Sequence, residues 1–98
     1  MAMETLVAIT NVQRNIGSAF AGIPQVESVY VHPVGEVFRV FTIVDDVDED
    51  TYDQIYEHER SVMGSFRDLH FDFNVIARRG RSEKELISSA TPAWRRTE

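Results

Sequence analysis

Cysteine is absent from the 98 residues, and that absence removes disulfide scaffolds, thiol nucleophiles, iron–sulfur clusters and thiolate zinc sites together. Lysine occurs once, at Lys84, against nine arginines. Glycine (5) and proline (3) are too few for a low-complexity chain, and 43% of the side chains are apolar, so disorder throughout is excluded. No apolar stretch reaches the roughly 18 residues of a membrane-spanning helix. The N-terminus lacks the basic start and long apolar run of a secretory signal. A single cytoplasmic domain with no membrane attachment is the expectation at this length.

Positive charge is scarce in the body of the chain and concentrated at its end. Residues 1–77 carry 13 acids and 4 bases, a net charge of −9, whereas residues 78–98 carry 6 bases and 3 acids, a net +3. An acidic body repels phosphate backbones, which argues against nucleic acid as a partner unless the tail alone binds it. The expected organisation is therefore an α+β domain over 1–78 followed by a basic tail over 79–98.

Within the body, Leu6, Ile9, Val12, Ile16 and Phe20 recur at three- and four-residue steps and predict an amphipathic helix ending near Ala21, where Gly22 and Ile23-Pro24 stop it. Two stretches rich in β-branched and aromatic residues, 26–32 and 36–44, predict strands. Pro33-Val34-Gly35 between them fits a tight turn and an antiparallel hairpin. The second strand is apolar on both sides apart from Arg39 and Thr42, the pattern of a strand covered twice. Acidic residues then open a second helix over about 49–66, where carboxylates suit the free amides of a helix start. Tyr52, Ile55, Tyr56, Val62, Met63 and Phe66 share one face of it, and Glu59 falls inside that apolar stripe. Residues 69–78 alternate, with Leu69, Phe71, Phe73, Val75 and Ala77 on one side and His70, Asp72, Asn74, Ile76 and Arg78 on the other, which predicts a third strand. Ser82 and Glu85 match a capping box for a short C-terminal helix over 82–89, ended by Pro92.

The resulting order, helix-strand-strand-helix-strand, packs most simply as two helices on one face of a three-stranded sheet. Over residues 4–78 this order resembles truncated ferredoxin-like folds, among them the cytoplasmic domain of cation-efflux transporters, and more loosely KH domains. The resemblance is one of topology and implies the fold, not an activity. The Gly-x-x-Gly loop with which KH domains clamp nucleic acid is missing here.

No motif names a reaction, so whether the protein is an enzyme stays open, and no cofactor is implied. Asp46, Asp48, Asp50 and Glu57 occupy places one, three, five and twelve of an EF-hand register, but the sixth place holds Thr51 where glycine is needed and the eighth holds Asp53, so no metal site is assigned. Position 62 is valine, so His58-Glu59 has no second histidine for a zincin helix. Glu59 demands a reason, because a carboxylate on an apolar face costs several kcal/mol unless paired or protonated. With Arg39, His70 and Asp72 it forms the candidate catalytic or ligand-binding set. Tyr30, His32 and Asn74 are candidates for an open, binding sheet face, and Arg79, Arg81, Trp94 and Arg95 for contacts made by the tail.

The reading these residues favour is a small non-enzymatic interaction or regulatory module that self-associates through its sheet, with a protein partner as a further possibility. The second apolar face of the middle strand needs a cover, and a twofold homodimer is the commonest one.

Overall fold

The computed structural model describes residues 3–46, 48–83 and 92–96, with side chains from residue 9 onward. Helix α1 spans Met3–Ala21. Val12, Ile16 and Phe20, one helical turn apart, are fully buried. The chain leaves the helix through two tight turns, Ile23 N–H to Phe20 C=O and Val26 N–H to Ile23 C=O, both 3.0 Å.

Strands β1 (Val26–Val34) and β2 (Val37–Val44) form an antiparallel hairpin. Its two-residue turn is Gly35-Glu36, with Gly35 at φ 59°, the positive φ that the first position of a type II′ turn requires. Pro33, expected in the turn, is instead a strand residue opposite Phe38. Its missing N–H costs no ladder bond there, because the strand on the other side of β1 reaches only Ser28 and Val29. Glu27 is the extra residue of a bulge between Val26 and Ser28, which leaves both Val26 and Val29 in the core.

Helix α2 covers Glu49–Ser65. Asp48 caps it, accepting the Thr51 N–H at 2.8 Å, and that bond holds the Asp48 carboxyl below its ordinary range. Phe66 closes the helix with its N–H on the Val62 carbonyl. Strand β3 (His70–Ala77) then lies parallel to β2, with Phe73 beside Val40, as a strand-helix-strand crossover requires.

The expected architecture is present with one addition. A fourth strand, β4 (Trp94–Arg95), pairs antiparallel with β1 and gives the order β3-β2-β1-β4. A two-residue strand is too short for alternation to betray it. A Cβ on Gly17 would stand 3.2 Å from the Trp94 Cβ, so the bare helix surface at Gly17 lets the tail approach. Of the expected short helix over 82–89, all but Ser82 and Glu83 lies outside the described residues.

Both helices pack on one face of the sheet. Val12, Ile16 and Phe20 of α1 and Ile55 and Val62 of α2 form one core with Val29, Val31, Phe38, Val40 and Val44 of the sheet. Thr42 interrupts it: the side chain is fully buried and its hydroxyl has no hydrogen-bond partner among the described residues. Thr42→Val keeps the shape and removes the unsatisfied group, and is expected to stabilise the fold by about 1 kcal/mol in urea unfolding.

The opposite face is covered differently from the expectation. A second copy was expected over it, but part of the cover comes from the same chain. After β3 the backbone returns across this face, where Glu83 accepts hydrogen bonds from the Ser28 and Tyr30 hydroxyls. Ser28, Tyr30 and Ile43 are buried there. The hairpin end of the same face stays open, with Val37, Arg39 and His32 exposed.

Candidate interaction surface

Alternation along each strand decides which candidates meet. His32, Arg39 and Asp72 form one row across the face away from the helices, and Tyr30, Phe41 and Asn74 form the next. Arg39 Nε lies 3.3 Å from Asp72 Oδ2, both half exposed, and its guanidinium sits 5.2 Å from the Phe41 ring centre. An exposed pair of this kind contributes little to stability. His70 lies beside Val37 at the exposed end. The Asn74 amide donates to the Asp72 carbonyl at 3.2 Å. Tyr30 is not on open surface: its hydroxyl donates to Glu83 at 2.9 Å and accepts from Arg95 at 3.2 Å. Burial, reinforced by Glu83, pushes its phenol above the ordinary value.

Glu59 is not among these residues. It sits on α2 with Thr51, Ile55 and Val62, the buried residues of that helix, so the sheet lies between it and Arg39, His70 and Asp72. Only 8% of Glu59 is exposed, and no hydrogen bond to it is found among the described residues. Desolvation raises its carboxyl from an ordinary 4.5 to about 7.

The side of α2 beyond Glu59 leads to the sheet edge. Tyr56 and Met63 are 46% and 43% exposed, and Tyr52 stacks on Tyr56 with ring centres 5.6 Å apart. Below them β3 is an edge strand. Phe71 stacks on Phe73 at 5.4 Å and meets Phe38 and Phe66 at 5.8 and 6.3 Å, yet Phe71, Phe73 and Val75 are only half buried. The Arg78 N–H bonds to the Val44 carbonyl at 2.7 Å. The two-residue period of a parallel ladder then turns the backbone groups of Asp72, Asn74 and Ile76 toward β2, and those of Phe71, Phe73 and Val75 toward the open edge. Among the described residues nothing pairs with that edge.

The basic tail is tied into the fold. Arg78 forks onto Glu27, at 2.7 and 3.1 Å, and reaches Asp45 at 3.3 Å. Arg95 lies 3.7 Å from Glu83. Arg96 donates to the carbonyls of Ala21, Ile23 and Val26 at the end of α1 and the start of β1 and lies over the Trp94 ring at 4.9 Å. Glu27, Asp45, Glu83, Arg78 and Arg95 line one open groove, where their opposite charges meet one another. Arg79 and Arg81 are exposed. The partners Glu27 and Glu83 carried no sequence signal, because each is an ordinary surface-type residue until the fold brings an arginine to it.

No group of three or more His, Asp or Glu able to hold a metal ion occurs among the described residues, and no helix there is long and apolar enough to cross a membrane. Neither a protein-family model nor a curated protein matches the chain. Among solved structures similar to it in shape are the following two. One is the copper form of MamM CTD, at 20% identity, covering 74% of this chain and 88% of that one, with a TM-score of 0.46. The other is a chain from the complex of tri-AMPylated Shewanella oneidensis HEPN toxin with MNT antitoxin, at 14% identity, covering 87% of this chain and 73% of that one, with a TM-score of 0.51. At this identity the second likeness is one of fold alone, and what it supports is a small α+β domain of two helices on a four-stranded mixed sheet.

Proposed function

We propose that this chain is a cytoplasmic, non-enzymatic interaction module that self-associates by pairing β3 with β3 of a second copy about a twofold axis. The observation that carries this is the open edge of β3: eight residues without proline or lysine, with unpaired backbone groups above half-exposed Phe71, Phe73 and Val75. Unprotected edges of this kind join other strands. A second copy suits the surface because α2, alongside, carries Glu49, Asp50, Asp53 and Glu57 in its first half and Arg60, its one arginine, in its second. An antiparallel twofold brings Asp53 opposite Arg60 of the partner, and Tyr56 and Met63 toward its apolar side. The same patch then serves both copies, as an isologous interface demands.

Light scattering at high micromolar concentration is expected to give a dimer. Val75→Pro removes a donor on the open edge without breaking the ladder to β2, and Met63→Lys puts a charge in the apolar patch. Each is expected to weaken dimerisation at least ~10-fold with the circular dichroism spectrum retained. A monomeric wild type, or a dimer indifferent to both variants, overturns the reading.

A further inference from the structure

We infer that Glu59 makes the pairing of two copies proton-dependent, the joined state holding Glu59 protonated and the separate chains releasing its proton. This rests on the β3 pairing proposed above and concerns its regulation. Glu59 stands at the margin of the α2 stripe, between the buried Ile55 and Val62 and the exposed Tyr56 and Met63. At 100° per residue Glu59 is the buried position of α2 next to Tyr56 and Met63, the side that a second copy would cover. Covering it takes away the last water around a carboxyl that has no described partner, and an unpaired carboxylate in such a place is far costlier than the neutral acid.

Among the described residues the surfaces packed against Glu59 carry no cation. The sheet presents Val40, Phe71, Phe73 and Val75 on the helix side, and α1 presents Val12, Ile16 and Phe20. On α2 itself Arg60, Glu57 and Asp53 are exposed, and Tyr52 and Tyr56 stack on each other. His58 is turned toward α1, with Nδ1 2.7 Å from the Gln54 carbonyl oxygen and its ring 6.1 Å from that of Phe20. His70 stands at the head of β3, beside Val37 at the exposed end.

The test is the dimer dissociation constant by sedimentation at pH 6 and pH 8, for the wild type, Glu59→Gln and His70→Gln. With the separate chain's carboxyl near 7 and one proton taken up per copy, the wild-type constant is expected to rise between about 10-fold and 100-fold from pH 6 to pH 8. Glu59→Gln should be flat and tight at both, and His70→Gln should keep the wild-type slope. A wild-type dimer equally tight at both values, a slope that survives in Glu59→Gln, or one that vanishes in His70→Gln overturns the inference while leaving the β3 pairing standing. Absence of a dimer at either pH overturns both.

Discussion

Glu59→Gln is expected to stabilise the protein by about 2–3 kcal/mol at pH 8 and by about 1 kcal/mol or less near pH 5, in urea unfolding at concentrations dilute enough to keep the chain monomeric. Burial lifts the carboxyl from 4.5 to about 7, so between those values the folded state holds a proton that the unfolded state has released. Stability is therefore full below 4.5, declines as the pH rises toward 7, and stays at its reduced level above. At about 1.4 kcal/mol per tenfold change, the loss has a ceiling of roughly 3 kcal/mol. Glutamine has the shape of the protonated acid and never ionises, so its advantage grows over the same window. A variant equally stabilising at both pH values, or destabilising at pH 8, would show that Glu59 finds a partner or water that the described residues do not contain.

Removing residues 82–98 is expected to cost about 4–6 kcal/mol, which for a domain of this size approaches the whole of its stability. The loss has four parts. Glu83 no longer holds Ser28 and Tyr30, β1 loses its pairing with Trp94 and Arg95, Trp94 leaves the groove at Gly17, and the three carbonyls held by Arg96 lose their donor. The truncated chain should unfold at much lower urea and bind a hydrophobic dye, because the second sheet face is then bare. Arg96→Ala is the milder counterpart and should lower the midpoint without exposing the sheet. An unchanged midpoint after truncation would mean that the tail is an appended arm, as its charge alone suggests.

These two expectations differ in how far they were legible in the chain. Glu59 announced itself: a carboxylate at helical spacing among Tyr52, Ile55, Val62 and Phe66 had to be buried or marginal, because period and composition fix which side of a helix loses water. The tail did not. Its arginines are candidates for contacts whose partners the sequence does not name, since the residues that receive them, Glu27, Glu83 and the carbonyls of Ala21, Ile23 and Val26, are distant in sequence. The proposed set of Glu59, Arg39, His70 and Asp72 fails to assemble for a related reason. Alternation tells which residues of one strand share a side, but not that the side bearing Arg39 and Asp72 faces away from α2. The second apolar side of β2 is covered only in part, with Ile43 buried and Val37 exposed, and which end would be covered was not in the pattern.

The amino-acid sequence by itself determined the five main elements, the acidic start of α2, the hairpin and the place of Glu59 within the apolar stripe, because each follows from local periodicity and local backbone chemistry. Only the tertiary structure decided that β3 stands at the edge, that residues 78–83 return over Ser28 and Tyr30, and that Trp94 and Arg95 complete the sheet. Those depend on which segments become neighbours, and in a chain of alternating apolar and polar residues several neighbours satisfy the same pattern until packing selects one.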